Sequence, residues 1–273
     1  MKVVVLAGGF GTRLQEETVV RPKPMVEIGG YPILWHIMKH YNHFDADEFF
    51  IACGYKADFI KGYFLDRHNL NGDLRIDFGR GMVQRAETES EDWTVNLIDT
   101  GLNTNTGGRL LRLKPHLDSG TFMLTYGDGV SNVDLDELLD VHRKSGRIAT
   151  VSAVRPPARF GGLVIDDGKV SKFTEKPVSG EGRINGGFFV FEPEIFNYLE
   201  GDTCSLEADA LERVAADGQL SAYCHHGFWQ CMDTLRDRTY LQKLWESGDA
   251  PWNVWDADEP QSRLSLVPKN RAA

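Results

Sequence analysis

The hydrophobic pattern starts with an unbroken apolar run at residues 3–6, followed at once by glycines. Four β-forming residues in succession predict a strand that is buried on both faces. Further apolar runs alternate with helical periodicities through the first half of the chain. They predict strands at 49–53, 74–78, 93–98 and 122–125, and helices at 32–44, 57–65 and 106–113. This order of strands and helices predicts a parallel sheet covered by helices on both faces.

The second half of the chain is richer in predicted strands. Apolar runs predict strands at 149–154, 163–165, 170–174 and 188–191, and helices at 134–144, 207–216 and 233–245. From residue 256 to 273 the pattern fades into a polar tail, for which no structure is predicted. We therefore expect one domain over 1–255, with a first part at about 1–130, a second at about 131–255, and the tail at 256–273.

Composition narrows the choice of partners and of compartment. A chain of 273 residues can bury a substantial core, and its formal net charge of −10 argues against a nucleic acid or an anionic membrane as partner. There is no apolar run of about 18 residues and no signal-peptide pattern. The four cysteines lack the paired spacing of zinc ligands, which favours reduced thiols and a cytoplasmic protein.

A glycine-rich turn directly after the first strand is the strongest chemical signal. Gly8, Gly9 and Gly11 lack Cβ atoms, so the main-chain N–H groups can approach a ligand closely. Arg13 then adds a forked cation that suits phosphate, and Lys23 adds a second cation between two prolines that restrict its main chain. This combination predicts a nucleotide-phosphate site.

Two well-known phosphate-binding motifs do not fit this turn. The P-loop requires Lys followed by Ser or Thr after the last glycine, where this chain has Thr12 and Arg13. The dinucleotide fingerprint requires a third glycine where Leu14 stands, and an acidic residue after the second strand, where Gly54 stands. A third class of nucleotide site is therefore favoured.

Several motifs resemble those of sugar-phosphate nucleotidyltransferases, and the resemblance runs from residue 1 to about 255. The turn at 8–13 with Lys23 and Pro24 resembles the signature of that family. The segments at 16–18, 22–30, 125–130, 184–190 and 228–237 resemble its glucose-1-phosphate cytidylyltransferase branch. The resemblance implies a Rossmann-like mixed, mostly parallel α/β sheet flanked by helices, with a nucleotide-binding first part, a sugar-binding β-rich second part and a C-terminal helix.

Two aspartates are candidate metal ligands. By itself, Asp128 between two glycines is typical either of a turn or of a carboxylate facing the ligand crevice of an α/β sheet. Asp233 stands where the last helix is predicted to begin, which favours a helix N-cap as the alternative. The resemblance implies that both aspartates bind the metal, and two carboxylates with phosphate oxygens and water suit Mg²⁺.

The resemblance also implies which residues bind the two substrates. The catalytic residues are expected to be Arg13, Lys23 and Asp128. The nucleotide is expected to contact Leu6, Ala7, Gly8, Gly9, Gly11, Thr12, Arg13, Lys23, Thr104, Gly107, Gly108 and Arg109. The sugar phosphate is expected to contact Gly161, Glu175, Lys176, Asn185 and Gly186. Two of these residues have an alternative interpretation. Asn185 followed by glycine is also typical of a hairpin turn. Lys176 beside Glu175 is also typical of a solvated ion pair.

The expected reaction joins CTP and α-D-glucose 1-phosphate into CDP-glucose and pyrophosphate. A sugar 1-phosphate has a second pKa near about 6 and is already a dianionic nucleophile at neutral pH. The reaction therefore needs no general base, which agrees with the lack of a persuasive catalytic His, Ser or Cys motif in the sequence. The same reaction with UTP or dTTP, and a non-catalytic nucleotide-sugar sensor, are the alternatives. Family resemblance further implies a homo-oligomer and a role in making activated deoxysugars for surface polysaccharide.

Overall fold

A computed structural model describes residues 1–70, 72–85, 91–156, 162–166, 169–174 and 182–256. Its centre is a seven-stranded sheet. In chain order the strands are β1 Lys2–Leu6, β2 Glu48–Cys53, β3 Thr94–Asp99, β4 Phe122–Tyr126, β5 Ala149–Val154, β6 Ile184–Phe191 and β7 Leu220–Cys224. Across the sheet the strands follow the order β7-β5-β6-β4-β1-β2-β3.

The sheet is mixed and mostly parallel, as predicted. The parallel pairs are β1 with β2, β1 with β4, β2 with β3 and β5 with β7. Strand β6 runs antiparallel to both of its neighbours, β4 and β5. Consequently β1, β2 and β4 all end at one edge of the sheet, where α/β proteins bind ligands.

Strand β1 is buried on both faces because its apolar side chains alternate between two cores. Val3 and Val5 belong to one hydrophobic cluster, and Val4 and Leu6 belong to the other. Helices cover both faces. The five longest are α1 Ile33–His43, α2 Ala57–Leu70, α3 Thr106–Arg112, α4 Leu135–Ser145 and α5 Leu235–Glu246. Among the described residues, no helix combines the length and apolar character needed to cross a membrane.

Short elements connect this framework. The helical turns are Thr12–Leu14, Gln15–Thr18, Lys23–Met25, Lys114–Leu117, Pro193–Tyr198, Leu206–Leu211 and Glu212–Ala216. Within the described residues, four two-stranded ribbons are present: Glu27–Ile28 with Tyr31–Pro32, Leu74–Asp77 with Met82–Arg85, Gly129–Ser131 with Trp229–Cys231, and Gly162–Asp166 with Lys169–Thr174.

The structure departs from the sequence-based expectation at several strands and at one helix. The strand predicted at 74–78 lies in a hairpin outside the main sheet. Strand β7 and the ribbon that joins Gly129–Ser131 to Trp229–Cys231 were not predicted, because they are short or half-exposed and lack a long apolar pattern. Helix α2 continues to Leu70, beyond the predicted end at 65. Residues 257–273, which make up nearly all of the predicted tail, lie outside the described residues.

Candidate active site

The glycine turn lines a cleft at the carboxyl-terminal edge of the sheet. The cleft has a volume of about 740 Å³. Most of the residues that the sequence assigned to the nucleotide and the metal line it, namely Leu6, Ala7, Gly8, Gly9, Gly11, Thr12, Arg13, Lys23, Thr104, Arg109, Asp128 and Asp233. The glycine turn and Asp128 meet because β1 and β4 are parallel neighbours that end at this edge. Thr104 and Arg109 follow β3, which ends at the same edge, and Asp233 follows a short strand that pairs with Gly129–Ser131.

The shape of the turn requires glycine at particular positions. Gly11 has a φ of 63°, in the left-handed region, and its carbonyl accepts a hydrogen bond from the Thr18 hydroxyl at 3.2 Å. A Cβ at Gly8 would lie 2.2 Å from the guanidinium of Arg109, which packs against the turn. The glycine pattern that predicted a phosphate site therefore also makes room for an arginine behind the turn.

Arg109 lies behind the glycine turn and connects the loops at this edge of the sheet by hydrogen bonds. Its guanidinium donates to the Gly8 carbonyl at 2.9 Å, to the Gly101 carbonyl at 2.7 Å and to the Thr100 hydroxyl at 2.7 Å. The side chain is buried, and burial, together with the neighbouring charge of Arg112, lowers the pKa of Arg109. Arg109 lines the cleft as expected, and these bonds give it the additional role of fixing the loops that follow β1 and β3.

A four-residue ion-pair cluster lines the cleft. The Lys23 ammonium donates to Asp128 Oδ2 at 2.7 Å and to Asp233 Oδ1 at 2.6 Å. Arg13 Nη1 donates to the other oxygen of Asp233 at 3.1 Å, while 78% of its side chain remains exposed. The exposed guanidinium is therefore available to an anionic ligand.

Two members of the cluster, Lys23 and Asp233, keep their charges although they are partly buried. Burial opposes the charged form of Lys23, but the carboxylates of Asp128 and Asp233 outweigh it and raise the pKa of Lys23. Burial likewise disfavours ionised Asp233, but hydrogen bonds and charge from Lys23 and Arg13 lower the pKa of Asp233. Lys23 and Asp233 are therefore both charged at neutral pH.

Local structure explains how Asp233 comes to face Lys23. Asp233 is not the N-cap of the last helix. Thr234 holds that position, and with Asp237 it forms a capping box in which each side chain accepts from the other residue's main-chain N–H. The N–H of Asp233 also donates to Asp237 Oδ2 at 3.1 Å. Because Thr234 caps the helix, the Asp233 carboxylate is left to reach the cleft.

On the predicted sugar side, Asn185 lies beside a cleft residue that the sequence analysis did not single out. The Asn185 amide donates to the Tyr126 hydroxyl at 3.2 Å, and Tyr126 lines the cleft. Gly186 packs within the sheet, where a Cβ would lie 2.6 Å from the Ser152 hydroxyl. Both residues belong to β6, so the alternative of a hairpin turn is wrong.

The remaining expected contacts lie elsewhere. Gly107 and Gly108 are buried in α3, and a Cβ at Gly108 would lie 2.5 Å from the Asp202 carbonyl, so these glycines allow α3 to pack closely on that segment. They do not line the cleft. The expected sugar-phosphate residues Gly161, Glu175 and Lys176 lie outside the described residues.

The α/β fold, and the cations and glycine turn at the end of its mixed sheet, are those expected of a protein that binds a phosphorylated ligand, the class to which nucleotidyltransferases belong. Comparison with known proteins agrees. The family model "Nucleotidyl transferase" matches residues 2–237. HddC from Yersinia pseudotuberculosis has the same fold, with a TM-score of 0.66 and 24% identity over 89% of this chain and 99% of that one.

Curated relatives narrow the assignment. The glucose-1-phosphate cytidylyltransferases of Salmonella typhi and of Salmonella typhimurium strain LT2 are each 47% identical to this chain. Each alignment covers 94% of this chain and 100% of the relative. The chain therefore belongs to the nucleotidyl transferase family, in its glucose-1-phosphate cytidylyltransferase branch.

Proposed function

We propose that the protein catalyses the transfer of a cytidylyl group from CTP to α-D-glucose 1-phosphate, which gives CDP-glucose and pyrophosphate. The observation that carries this proposal is the convergence of Arg13, Lys23, Asp128 and Asp233 in one cleft of a chain that is 47% identical to enzymes of that name. A non-catalytic sensor would have no need of this complete cluster.

The cleft is suited to positioning and charge stabilisation. A phosphate oxygen of glucose 1-phosphate attacks the α-phosphorus of CTP, a new P–O bond forms, and the P–O bond to the leaving pyrophosphate breaks. The attacking dianion needs no general base near neutral pH. Arg13 and Lys23 hold the phosphates that leave, and the glycine turn supplies main-chain N–H groups to the nucleotide.

The carboxylates fit a magnesium ion. Asp128 and Asp233 already converge on a single cation, the Lys23 ammonium, at 2.7 and 2.6 Å. Oxygen ligands are those that Mg²⁺ prefers, and it commonly keeps waters and substrate phosphates as its other ligands. Among the described residues there is no cluster of three or more His, Cys, Asp or Glu that could hold a metal, so the protein would supply these two carboxylates. When bound, Mg²⁺ would supply positive charge to the phosphates.

The sugar phosphate is expected on the side of Asn185, with Gly161, Glu175, Lys176 and Gly186 as further contacts. Lys176 would hold the phosphate of glucose 1-phosphate. Replacement of Lys176 by Ala should then raise KM mainly for glucose 1-phosphate, whereas Lys23→Ala should mainly impair nucleotide binding and turnover. A Lys176→Ala enzyme that is impaired only towards CTP would contradict this division of the cleft.

Selection of cytosine needs groups that meet the base edge, because the cation cluster handles phosphate, which every nucleotide carries. Cytosine presents an amino donor where uracil and thymine present a carbonyl. We place its acceptor in the glycine turn and around residues 104–109. A mismatched polar edge costs roughly 1–3 kcal/mol, or about ten- to a hundredfold in preference.

The decisive experiment measures pyrophosphate release with glucose 1-phosphate, Mg²⁺ and each of CTP, UTP and dTTP. We expect kcat/KM for CTP to exceed the other two by at least about tenfold. Equal values for CTP and UTP would contradict cytosine selectivity while leaving nucleotidyl transfer intact. Tight nucleotide binding without pyrophosphate release would support the sensor instead.

We also propose that the protein works in the cytoplasm as a homo-oligomer and serves the synthesis of activated deoxysugars for surface polysaccharide. The hairpin at 74–85 supports self-association, because its apolar side chains Ile76, Phe78 and Val83 are 51%, 90% and 63% exposed. Sedimentation of the wild type and of Phe78→Ser tests this. A monomeric wild-type protein would contradict the proposed oligomer.

A further inference from the structure

The carboxylate of Glu207 lies behind the wall of the cleft and collects hydrogen bonds from three hydroxyl groups. Its Oε1 accepts from the Tyr126 hydroxyl at 2.6 Å, and its Oε2 accepts from the Thr106 hydroxyl at 2.7 Å and from the Ser205 hydroxyl at 3.0 Å. Tyr126 and Thr106 both line the cleft. Glu207 thus joins the nucleotide wall of the cleft to its predicted sugar side.

Main-chain donors fix the direction of two of these bonds. The Thr106 hydroxyl accepts from the Leu206 N–H at 2.9 Å, and the Ser205 hydroxyl accepts from the Ala208 N–H at 3.1 Å. Each hydroxyl has one proton, and each donates it to Glu207. The Oε2 atom of Glu207 must therefore be an acceptor for both.

The Tyr126 hydroxyl is also directional. Its single proton goes to Glu207 Oε1, so its oxygen can only accept from other groups. The Asn185 amide is one donor to it, and the orientation of that amide is fixed because the Gly187 N–H donates to Asn185 Oδ1 at 2.8 Å. The φ of +81° at Gly187 and the missing Cβ make room for the Tyr126 ring, which would otherwise lie 2.7 Å from that Cβ.

We propose that Glu207 is a positioning residue that holds the Tyr126 hydroxyl as a hydrogen-bond acceptor, so that Tyr126 accepts from a hydroxyl of the sugar phosphate. The inference rests on the proposed function, because that function makes a sugar phosphate the second substrate. Tyr126 accepts from Asn185, on the expected sugar side, and lines the cleft together with Asp128, on the expected metal side. A hydroxyl that only accepts at this place selects for a ligand group that can donate.

The isosteric substitution Glu207→Gln should reverse the polarity of Tyr126. A Gln side chain has one oxygen and one NH₂ group. Its oxygen should turn towards Thr106 and Ser205, because two fixed donors face that side. Its NH₂ group then faces Tyr126 and donates to it. Since Asn185 already donates to Tyr126, the Tyr126 proton is released towards the cleft, and Tyr126 becomes a donor to the ligand.

Deoxyfluoro analogues of glucose 1-phosphate detect this reversal, because fluorine accepts weakly and cannot donate. The experiment compares kcat/KM for the deoxy and deoxyfluoro analogues at carbons 2, 3, 4 and 6, with CTP fixed. At one carbon, we expect the wild type to use the fluoro analogue about tenfold less well than the deoxy analogue. Glu207→Gln should remove or invert that ratio. The effect of fluorine on the phosphate itself cancels when the two enzymes are compared.

Glu192→Gln is the matched control. Glu192 also accepts from a hydroxyl, that of Thr121 at 2.9 Å, and contacts His142 at 3.1 Å, but it does not line the cleft. This variant should keep the wild-type ratios. Tyr126→Phe, which lacks the hydroxyl, should lose the penalty against fluorine whether or not Glu207→Gln folds.

The outcomes separate the two proposals. A wild type that releases no pyrophosphate from CTP and glucose 1-phosphate overturns the proposed function and this inference together. An active wild type whose fluoro-to-deoxy ratios match those of Glu207→Gln at all four carbons overturns the role of Glu207 alone. Retention of the fluorine penalty in Tyr126→Phe overturns it as well.

Discussion

At the scale of single residues, Lys23 is the centre of the candidate site. Its ammonium bridges Asp128 and Asp233, which lie 105 and 210 residues further along the chain. A single side chain thus gathers two carboxylates that would otherwise repel each other at the end of the sheet. In the proposed reaction the Lys23 ammonium also binds the phosphates. Because the two carboxylates already hold it, its position is fixed before the substrates bind.

Removal of either carboxylate should damage turnover. We expect Asp128→Asn and Asp233→Asn each to lower kcat by at least about 10²-fold, since a preorganised charge is removed from the transition state. Steady-state kinetics at saturating Mg²⁺ check this. Asp140→Asn, an exposed acid on α4, is the control and should leave kcat unchanged. Near-normal turnover in a folded Asp233→Asn enzyme would remove Asp233 from the metal site.

The same cluster predicts a pH dependence of stability. Because the pKa of Asp233 is lowered from its ordinary 3.8, the ionised carboxylate stabilises the fold above that pH, and the contribution is lost as pH falls through the folded-state pKa. The free energy of unfolding of the wild type should therefore fall more steeply below about pH 4 than that of Asp233→Asn. Urea titrations in the presence of a chelator measure both; parallel curves would contradict the prediction.

At the scale of secondary-structure elements, the N-terminus of α5 positions the carboxylate of Asp233. The capping box of Thr234 and Asp237 ends the loop that carries Asp233, and a main-chain bond from Asp233 to Asp237 fixes the turn. Helix α4 begins with a comparable cap, in which Asp134 accepts from the Glu137 N–H at 2.9 Å, but it carries none of the predicted site residues. A comparison of cap variants at the two helices therefore separates an effect on stability from an effect on catalysis.

Loss of either cap should cost similar stability, but only one should affect catalysis. We expect Thr234→Ala and Asp134→Ala each to lower the free energy of unfolding by about 1 kcal/mol. Thr234→Ala should also lower kcat several-fold, because the Asp233 turn is loosened. Urea unfolding and steady-state kinetics on the same preparations test this, and Thr234→Ser should restore both quantities. An equal loss of kcat in both variants would argue against a positioning role for the cap.

At the scale of the whole molecule, Trp252, near the end of the described chain, packs against the first half of the chain. Trp252 is fully buried, and its indole N–H donates to His36 Nδ1 at 3.3 Å across 216 residues of sequence. His36 Nε2 lies 2.9 Å from the Ile28 carbonyl, and burial lowers the pKa of His36 to about 4. His36 is therefore neutral at pH 7 and can accept from Trp252 while it donates to Ile28.

Removal of the Trp252 side chain should destabilise the whole domain. We expect Trp252→Ala to lower the free energy of unfolding by about 3–5 kcal/mol, as for other large buried aromatic side chains. Trp255→Ala, which removes an only partly buried ring from the same cluster, should cost clearly less. Fluorescence and circular dichroism during urea unfolding test both variants. If Trp252→Ala loses no more free energy of unfolding than Trp255→Ala does, Trp252 does not have this stabilising role.

The sequence alone determined the elements whose signal is local. The apolar run at 3–6 predicted the central strand, the glycines at 8–11 predicted the turn, and the helical periodicity at 32–44 predicted α1. Each depends on neighbouring side chains and on main-chain geometry, which periodicity and glycine record directly. Edge strand β7 and the ribbon that follows Asp128 were missed because half-exposed or very short strands carry little periodicity.

Tertiary structure decided which distant residues meet. Nothing in the spacing of Lys23, Asp128 and Asp233 placed them together, although the family resemblance suggested it. The parallel ends of β1 and β4 bring Asp128 to the glycine turn, and the ribbon that pairs Trp229–Cys231 with Gly129–Ser131 brings Asp233 beside it. Arg109 was predicted only as a nucleotide contact, and its hydrogen bonds to the loops after β1 and β3 are visible only in the structure. Glu207 was not singled out from the sequence, and its hydroxyl partners appear only in the structure. Charge and hydrogen-bond direction depend on distance and burial, and these quantities exist only once the sheet has brought its strand ends to one edge.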